Sequence, residues 1–176
     1  MTRICLATAL LVCGLGMSVA PASAQVADRA DPSSVTDDLA PLIGSLFAAI
    51  EMLSDYRAPD AQPSVFQGPQ HLLEAKVCDE PCDVSAAYVP REGVYIAGNL
   101  DPLHDPLDRA ALVHELVHYL QQGHPKFAHL AGCERERAKE QEAYAIQNAY
   151  LATLGSSKRV AFYDGDFDCD GRAPAR

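Results

Sequence analysis

Residues 105–123 read DPLDRAALVHELVHYLQQG, and both ends of a helix are written into them. Asp105 is a good N-cap, Pro106 suits the first helical position, and Asp108 places a negative charge in the first turn. Gly123 and Pro125 close the segment. On a helical wheel Leu112, Val113, Leu116, Val117 and Leu120 fall on one broad side, which predicts the packed face. His114 and His118 fall on another stripe with Leu107 and Ala111. No charged residue lies in Ala110–Val113 or in Tyr119–Gln122, which predicts a largely buried helix.

Residues four apart on a helix lie one above the other on one face. Two imidazoles so placed reach a single zinc ion at about 2.0–2.1 Å. Glu115, beside the first histidine, is placed to take a proton from metal-bound water. His114 and His118 are therefore the candidate ligands, Zn2+ the candidate cofactor, and Glu115 the candidate catalytic residue. A catalytic zinc site needs a third protein ligand and one open position.

Two positions compete for that third ligand. His124 stands ten residues after His114, as in HExxHxxGxxH. Position 121, where that pattern needs glycine to turn the chain, is Gln121, and all three methionines (Met1, Met17 and Met52) lie upstream, so no Met-turn follows. The second source is the helix expected from Cys133 to Leu154, with Glu134, Glu136, Glu140 and Glu142. Ala143, Ile146, Tyr150, Leu151 and Leu154 mark its buried side. Glu140 and Glu136 fall near that side, whereas Glu142 points almost opposite. A carboxylate on a packed face needs a partner, and metal ligation supplies one for Glu140. Glu136 and His124 stay as alternatives.

Glu140-Gln141-Glu142-Ala143-Tyr144 resembles the E-x-x-A ligand helix of gluzincin metallopeptidases, which follows their HExxH helix. Those proteins commonly carry Asp after the Ala as partner to a ligand histidine; this chain has Tyr144. The span from Val84 to Leu154 is also similar to small secreted bacterial zincin-like proteins, in which HELVH, a downstream cysteine and a Glu/Ala/Tyr/Gln helix recur, here as Cys133, Glu140, Ala143, Tyr144 and Gln147. The resemblance implies an α+β, zincin-like domain, with a short antiparallel or mixed sheet against the active-site helix and a following ligand helix. It implies a zinc metallopeptidase acting on a peptide or protein. It also implies that an edge strand, for which Val94–Ala97 is the candidate, pairs with extended substrate. A secreted zinc-binding or protein-interaction module with little turnover is the alternative function, and hydrolysis of cell-wall peptides a third.

The remaining sequence sets the context. Arg3, the apolar run Ile4–Val19 and Ala22-Ser23-Ala24 predict a signal peptide over 1–24, leaving one domain over 25–176 in the periplasm or outside the cell. The net charge of −10 disfavours nucleic acid and anionic membranes as partners. No feature dictates an oligomeric state. Cys78, Cys82, Cys133 and Cys169 remain after the signal, and an oxidising compartment makes two disulfides of them. Three pairings exist. The favoured one joins Cys78 to Cys82 around Pro81, and Cys133 to Cys169.

Apolar spacing from Leu39 to Leu53 predicts a helix over 36–55. Arg57–Pro69, with three prolines, reads as loop, and His71–Val77 fits a short helix or a strand. Val84–Val89 and Val94–Ala97 read as a hairpin around Pro90-Arg91-Glu92-Gly93. Asp166–Gly171 opens like a calcium loop but lacks the closing glutamate, so a solvated tail pinned by Cys169 is expected. Tyr144, Tyr163, His124 and His129 are candidate donors to an oxyanion.

Overall fold

The computed structural model describes residues 36–78, 82–164 and Cys169. The expected signal peptide, the loop around Pro81 and most of the Asp166–Gly171 segment lie outside them. Among the described residues, four α-helices and a three-stranded sheet give an α+β fold. Helix α1 spans Thr36–Leu53, and α2 spans Gln70–Val77. Strands β1, β2 and β3 are Val65–Gly68, Ala86–Val89 and Gly93–Ala97. Helix α3 is Pro106–Gln121, and α4 is Gly132–Thr153.

Helix α3 begins as its sequence dictates. The Asp105 carboxylate accepts from the Leu107 and Asp108 amides at 2.7 and 3.3 Å, with Pro106 in the first turn. Its apolar side is the centre of the core: Leu112, Val113, Leu116 and Val117 are wholly buried. They pack with Ile43, Leu46 and Ile50 of α1, Val94 and Ile96 of β3, and Leu151 of α4. Leu120, expected on the same side, is only partly buried. Helix α4 ends in a Schellman arrangement, with the Ser156 amide on the Leu151 carbonyl at 3.1 Å and Gly155 at φ 72°. That ending leaves Leu154 exposed, against the expectation that it would be buried.

The sheet order is β1-β3-β2, with β3 parallel to β1 and antiparallel to β2. The hairpin lies where the sequence puts it, closed by the Glu92 amide on the Val89 carbonyl at 3.1 Å. Arg91 takes the positive φ of that turn (71°), behind Pro90. Gly93 is required for a different reason. A Cβ there would stand 2.3 Å from the Ser64 carbonyl oxygen, so only glycine lets β1 approach β3.

Two expectations are corrected. Arg57–Pro69 is not all loop, since Val65–Gly68 is strand β1. Val94–Ala97 is not an edge strand, because β3 pairs on both sides and has no free backbone to offer a peptide. The exposed edge nearer α3 belongs to β2.

Both disulfides form as favoured, Cys78–Cys82 and Cys133–Cys169. They fit an extracellular setting. Among the described residues no helix is long and apolar enough to cross a membrane. The second bridge ties the chain beyond α4 back to the helix's first turn. Asn148 holds the same segment midway, exchanging two 2.8 Å hydrogen bonds with the Val160 backbone. Because the bridge spans a sequence separation of 36, its loss costs roughly 3–4 kcal/mol on a loop-closure basis. The double variant Cys133→Ser/Cys169→Ser is expected to show that loss in urea unfolding. An unchanged midpoint would mean that the tail contributes nothing to stability.

Candidate metal centre

Helices α3 and α4 pack closely because Ala143, wholly buried, offers no bulk between them. Their contact brings together the residues the sequence singles out. His114 Nε2 and His118 Nε2 lie 3.0 Å apart. The Glu140 carboxylate spans both, with Oε2 at 3.1 Å from His114 Nε2 and Oε1 at 3.1 Å from His118 Nε2. Among the described residues this is the one group of three such side chains whose ligand atoms all fall within 4.8 Å of one another.

The other face of each ring is also engaged. His118 Nδ1 is 2.8 Å from Gln121 Oε1, and His114 Nδ1 is 3.1 Å from Gln147 Oε1. An amide oxygen only accepts, so with Gln121 Oε1 on Nδ1 the His118 ring carries its proton there, and the Gln147 contact suits the same tautomer at His114. In the neutral imidazoles both Nε2 atoms are then bare lone pairs facing each other and a carboxylate. Three electron-pair donors at 3.0–3.1 Å repel unless a cation lies among them. The donor set, two imidazoles and one carboxylate, is one that zinc takes readily. A tetrahedral ion with bonds of about 2.0–2.1 Å separates its ligand atoms by about 3.3 Å, close to the edges of this triangle. The residues present therefore fit a divalent metal.

The electrostatics carry the same demand. Burial opposes ionisation of Glu140, but hydrogen bonds and charge from His114 and His118 outweigh it and hold its carboxyl well below the ordinary range. Burial likewise disfavours the His118 imidazolium, yet the bond to Glu140 and the charges of Glu115 and Glu140 raise its pKa.

Glu115 is buried beside the triangle, and its Oε2 accepts the Tyr88 amide of β2 at 2.7 Å. Two clefts flank the site and share Ala86, His114, Glu115 and Tyr144 in their walls. One, of about 430 Å³, runs toward Val77 and Gln122; the other, of about 300 Å³, runs toward Asp83 and Val160.

The alternative ligands do not join the group. His124 caps the 3-10 turn Pro125–Phe127, accepting from the Lys126 amide at 3.2 Å, and stacks edge-on against Tyr56. Glu136, expected near the buried side, is exposed and pairs with Lys139 at 3.1 Å. Glu142 does lie on a different face from Glu140, but it is half-buried and bonded. Its carboxylate accepts from the Tyr56 hydroxyl at 2.5 Å, from Gln121 Nε2 at 3.1 Å and from Lys126 Nζ at 2.5 Å.

Of the candidate oxyanion donors, Tyr144 lines both clefts, with its ring 4.5 Å from that of His114. Tyr163 is exposed, and His124 and His129 line neither cleft. The partner of His114 Nδ1 is Gln147, one turn from Ala143.

Sequence reasoning missed Gln121, weighed only as a residue unable to turn the chain. Its signal was an uncharged polar side chain three positions after His118 on the same helical face. Compared with protein families, curated proteins and solved structures, the chain matches none.

Proposed function

We propose that His114, His118 and Glu140 hold a zinc ion, and that this chain is a secreted zinc-dependent hydrolase of peptide bonds with a zincin-like fold. The observation that carries the reading is the convergence of three lone-pair donors at 3.0–3.1 Å, with the Nδ1 side of both rings already committed to amide oxygens. When bound, the metal supplies Lewis-acid polarisation of a carbonyl and a water acidified to a pKa near 7.

The chain's own groups supply the rest. Glu115 keeps one carboxylate oxygen on the Tyr88 amide and has the other for the proton that hydrolysis releases. It acts first as general base and then as general acid toward the leaving amine. The Tyr88 amide orients that carboxylate. Tyr144, which lines both clefts, is the hydroxyl we assign to a developing oxyanion.

The peptide reading rests on β2. The Ala97 amide bonds to the Ser85 carbonyl at 2.8 Å, so Ser85, Ala87 and Val89 turn their backbone groups toward β3. Ala86 and Tyr88 turn theirs outward, into the clefts. An extended chain laid along this edge gains main-chain hydrogen bonds at Ala86 and at the Tyr88 carbonyl, without needing the Tyr88 amide that Glu115 holds. It continues past the metal in both directions, so an interior peptide bond is the one presented.

The test is zinc content and cleavage together. The purified protein is expected to hold one zinc per chain and to cleave internally quenched peptides, with activity lost to a chelator and restored by zinc. Zinc without cleavage across a broad peptide library would instead mark a binding module. Absence of zinc binding would sink both readings.

A further inference from the structure

We infer that Gln121 is a positioning residue for the metal ligand His118: its Oε1 fixes the ring proton on Nδ1 and leaves Nε2 directed at the metal. The inference rests on reading the triangle as a metal centre, and the side chain involved lies outside that triangle.

Gln121 is 2% exposed and ends α3 three residues after His118. Its amide has two possible orientations, and its neighbours permit one. Nε2 donates to the Lys139 carbonyl at 3.0 Å and to Glu142 Oε2 at 3.1 Å. A carbonyl oxygen only accepts. Turned over, the amide would set its own oxygen against the Lys139 carbonyl and its NH2 against His118. The Lys139 carbonyl, one residue before Glu140, thus fixes the amide, and the amide fixes the ring. Glu142 strengthens the arrangement, since it is itself held by Tyr56 and Lys126.

The chemical consequence is a choice between ring nitrogens. Proton and metal cannot share one nitrogen, so a proton held on Nδ1 commits Nε2 to ligation. Without the Gln121 acceptor the ring is free to place its proton on Nε2 or to rotate. Loss of such an outer partner typically costs about 10–100-fold in metal affinity.

Two variants separate this role from a purely structural one. Gln121→Met and Gln121→Glu both lose the NH2 bonds to Lys139 and Glu142. Only Gln121→Met also loses the acceptor facing His118. In the wild type, proton NMR of the metal-free and zinc-loaded protein is expected to show a slowly exchanging His118 Nδ1–H. Gln121→Met is expected to lose that signal and to bind zinc about 10–100-fold more weakly. Gln121→Glu is expected to keep the signal, because it keeps an acceptor toward His118, and to melt lower, because its second oxygen then faces the Lys139 carbonyl and Glu142.

A Gln121→Met protein that kept the His118 Nδ1–H signal and wild-type zinc affinity would reduce Gln121 to a structural bond and overturn the inference. So would a wild-type His118 protonated on Nε2 alone, a result that needs no variant to fold. If the wild type binds no zinc, the metal reading fails, while the Nδ1–H signal in the metal-free protein still decides the role of Gln121.

Discussion

Replacing Glu140 with alanine is expected to weaken zinc binding by more than the roughly 100-fold that marks loss of an outer partner, because it deletes a direct ligand. The carboxylate is the only anion in the triangle, and it touches both Nε2 atoms at 3.1 Å. Without it, two neutral imidazoles would have to hold a divalent ion alone. Glu140 is half-buried and borders the cleft, so the variant should fold. Glu136→Ala is the control, since that side chain is exposed and bonded to Lys139, and it should leave affinity unchanged. Competition with a chromophoric chelator measures both. Thermal melts give a second readout: a thousandfold excess of zinc over its dissociation constant stabilises the wild type by about 4 kcal/mol, and at the same zinc concentration that increment should fall below about 1.4 kcal/mol in Glu140→Ala. A variant that kept wild-type affinity would show that the third ligand is another group.

Glu115→Gln is expected to reduce turnover by about 10²–10⁴-fold, the usual contribution of a positioned general base, with zinc affinity changed only a few-fold. Glutamine is the informative replacement because of the Tyr88 amide. Its Oε1 still accepts that bond, so the side chain keeps its place while losing the ability to take a proton. Single-turnover cleavage of a quenched peptide, beside a zinc titration, separates the two effects. Cleavage surviving in the variant would remove Glu115 from the mechanism. Loss of zinc as well would make it a structural support of the site.

The outcome for the sequence divides along physical lines. Helix α3, its cap, its packed side and the histidine stripe were legible because each depends on neighbours within four residues. Glu140 was legible for the same reason once α4 was recognised, since helical periodicity separates it from Glu142. The disulfides followed from compartment and loop size. Strand β1 was not legible: it has four residues, and it exists because Gly93 admits its backbone against β3, a contact between segments almost thirty residues apart. The role of β3 as the central strand was hidden by the same omission. The spacing of Gln121 to His118 was readable, but its bonds to Lys139 and Glu142, and that of Gln147 to His114, were not, because they cross the helix pair. Glu142 lies off the buried side as the wheel of α4 has it, but the wheel cannot show that Tyr56 and Lys126 meet it there.

The bond between the Tyr88 amide and Glu115 also bears on self-association. An unpaired strand edge is a template for a strand from another molecule, and proteins protect such edges with inward-pointing charge or by covering them. Strand β2 has one outward amide already occupied by a buried carboxylate, and its edge opens onto a cleft bounded by α3 and α4 instead of onto open solvent. A flat strand from a second copy would have to displace Glu115 to complete its ladder. The same contact that orients Glu115 thereby guards the sheet against edge-to-edge aggregation.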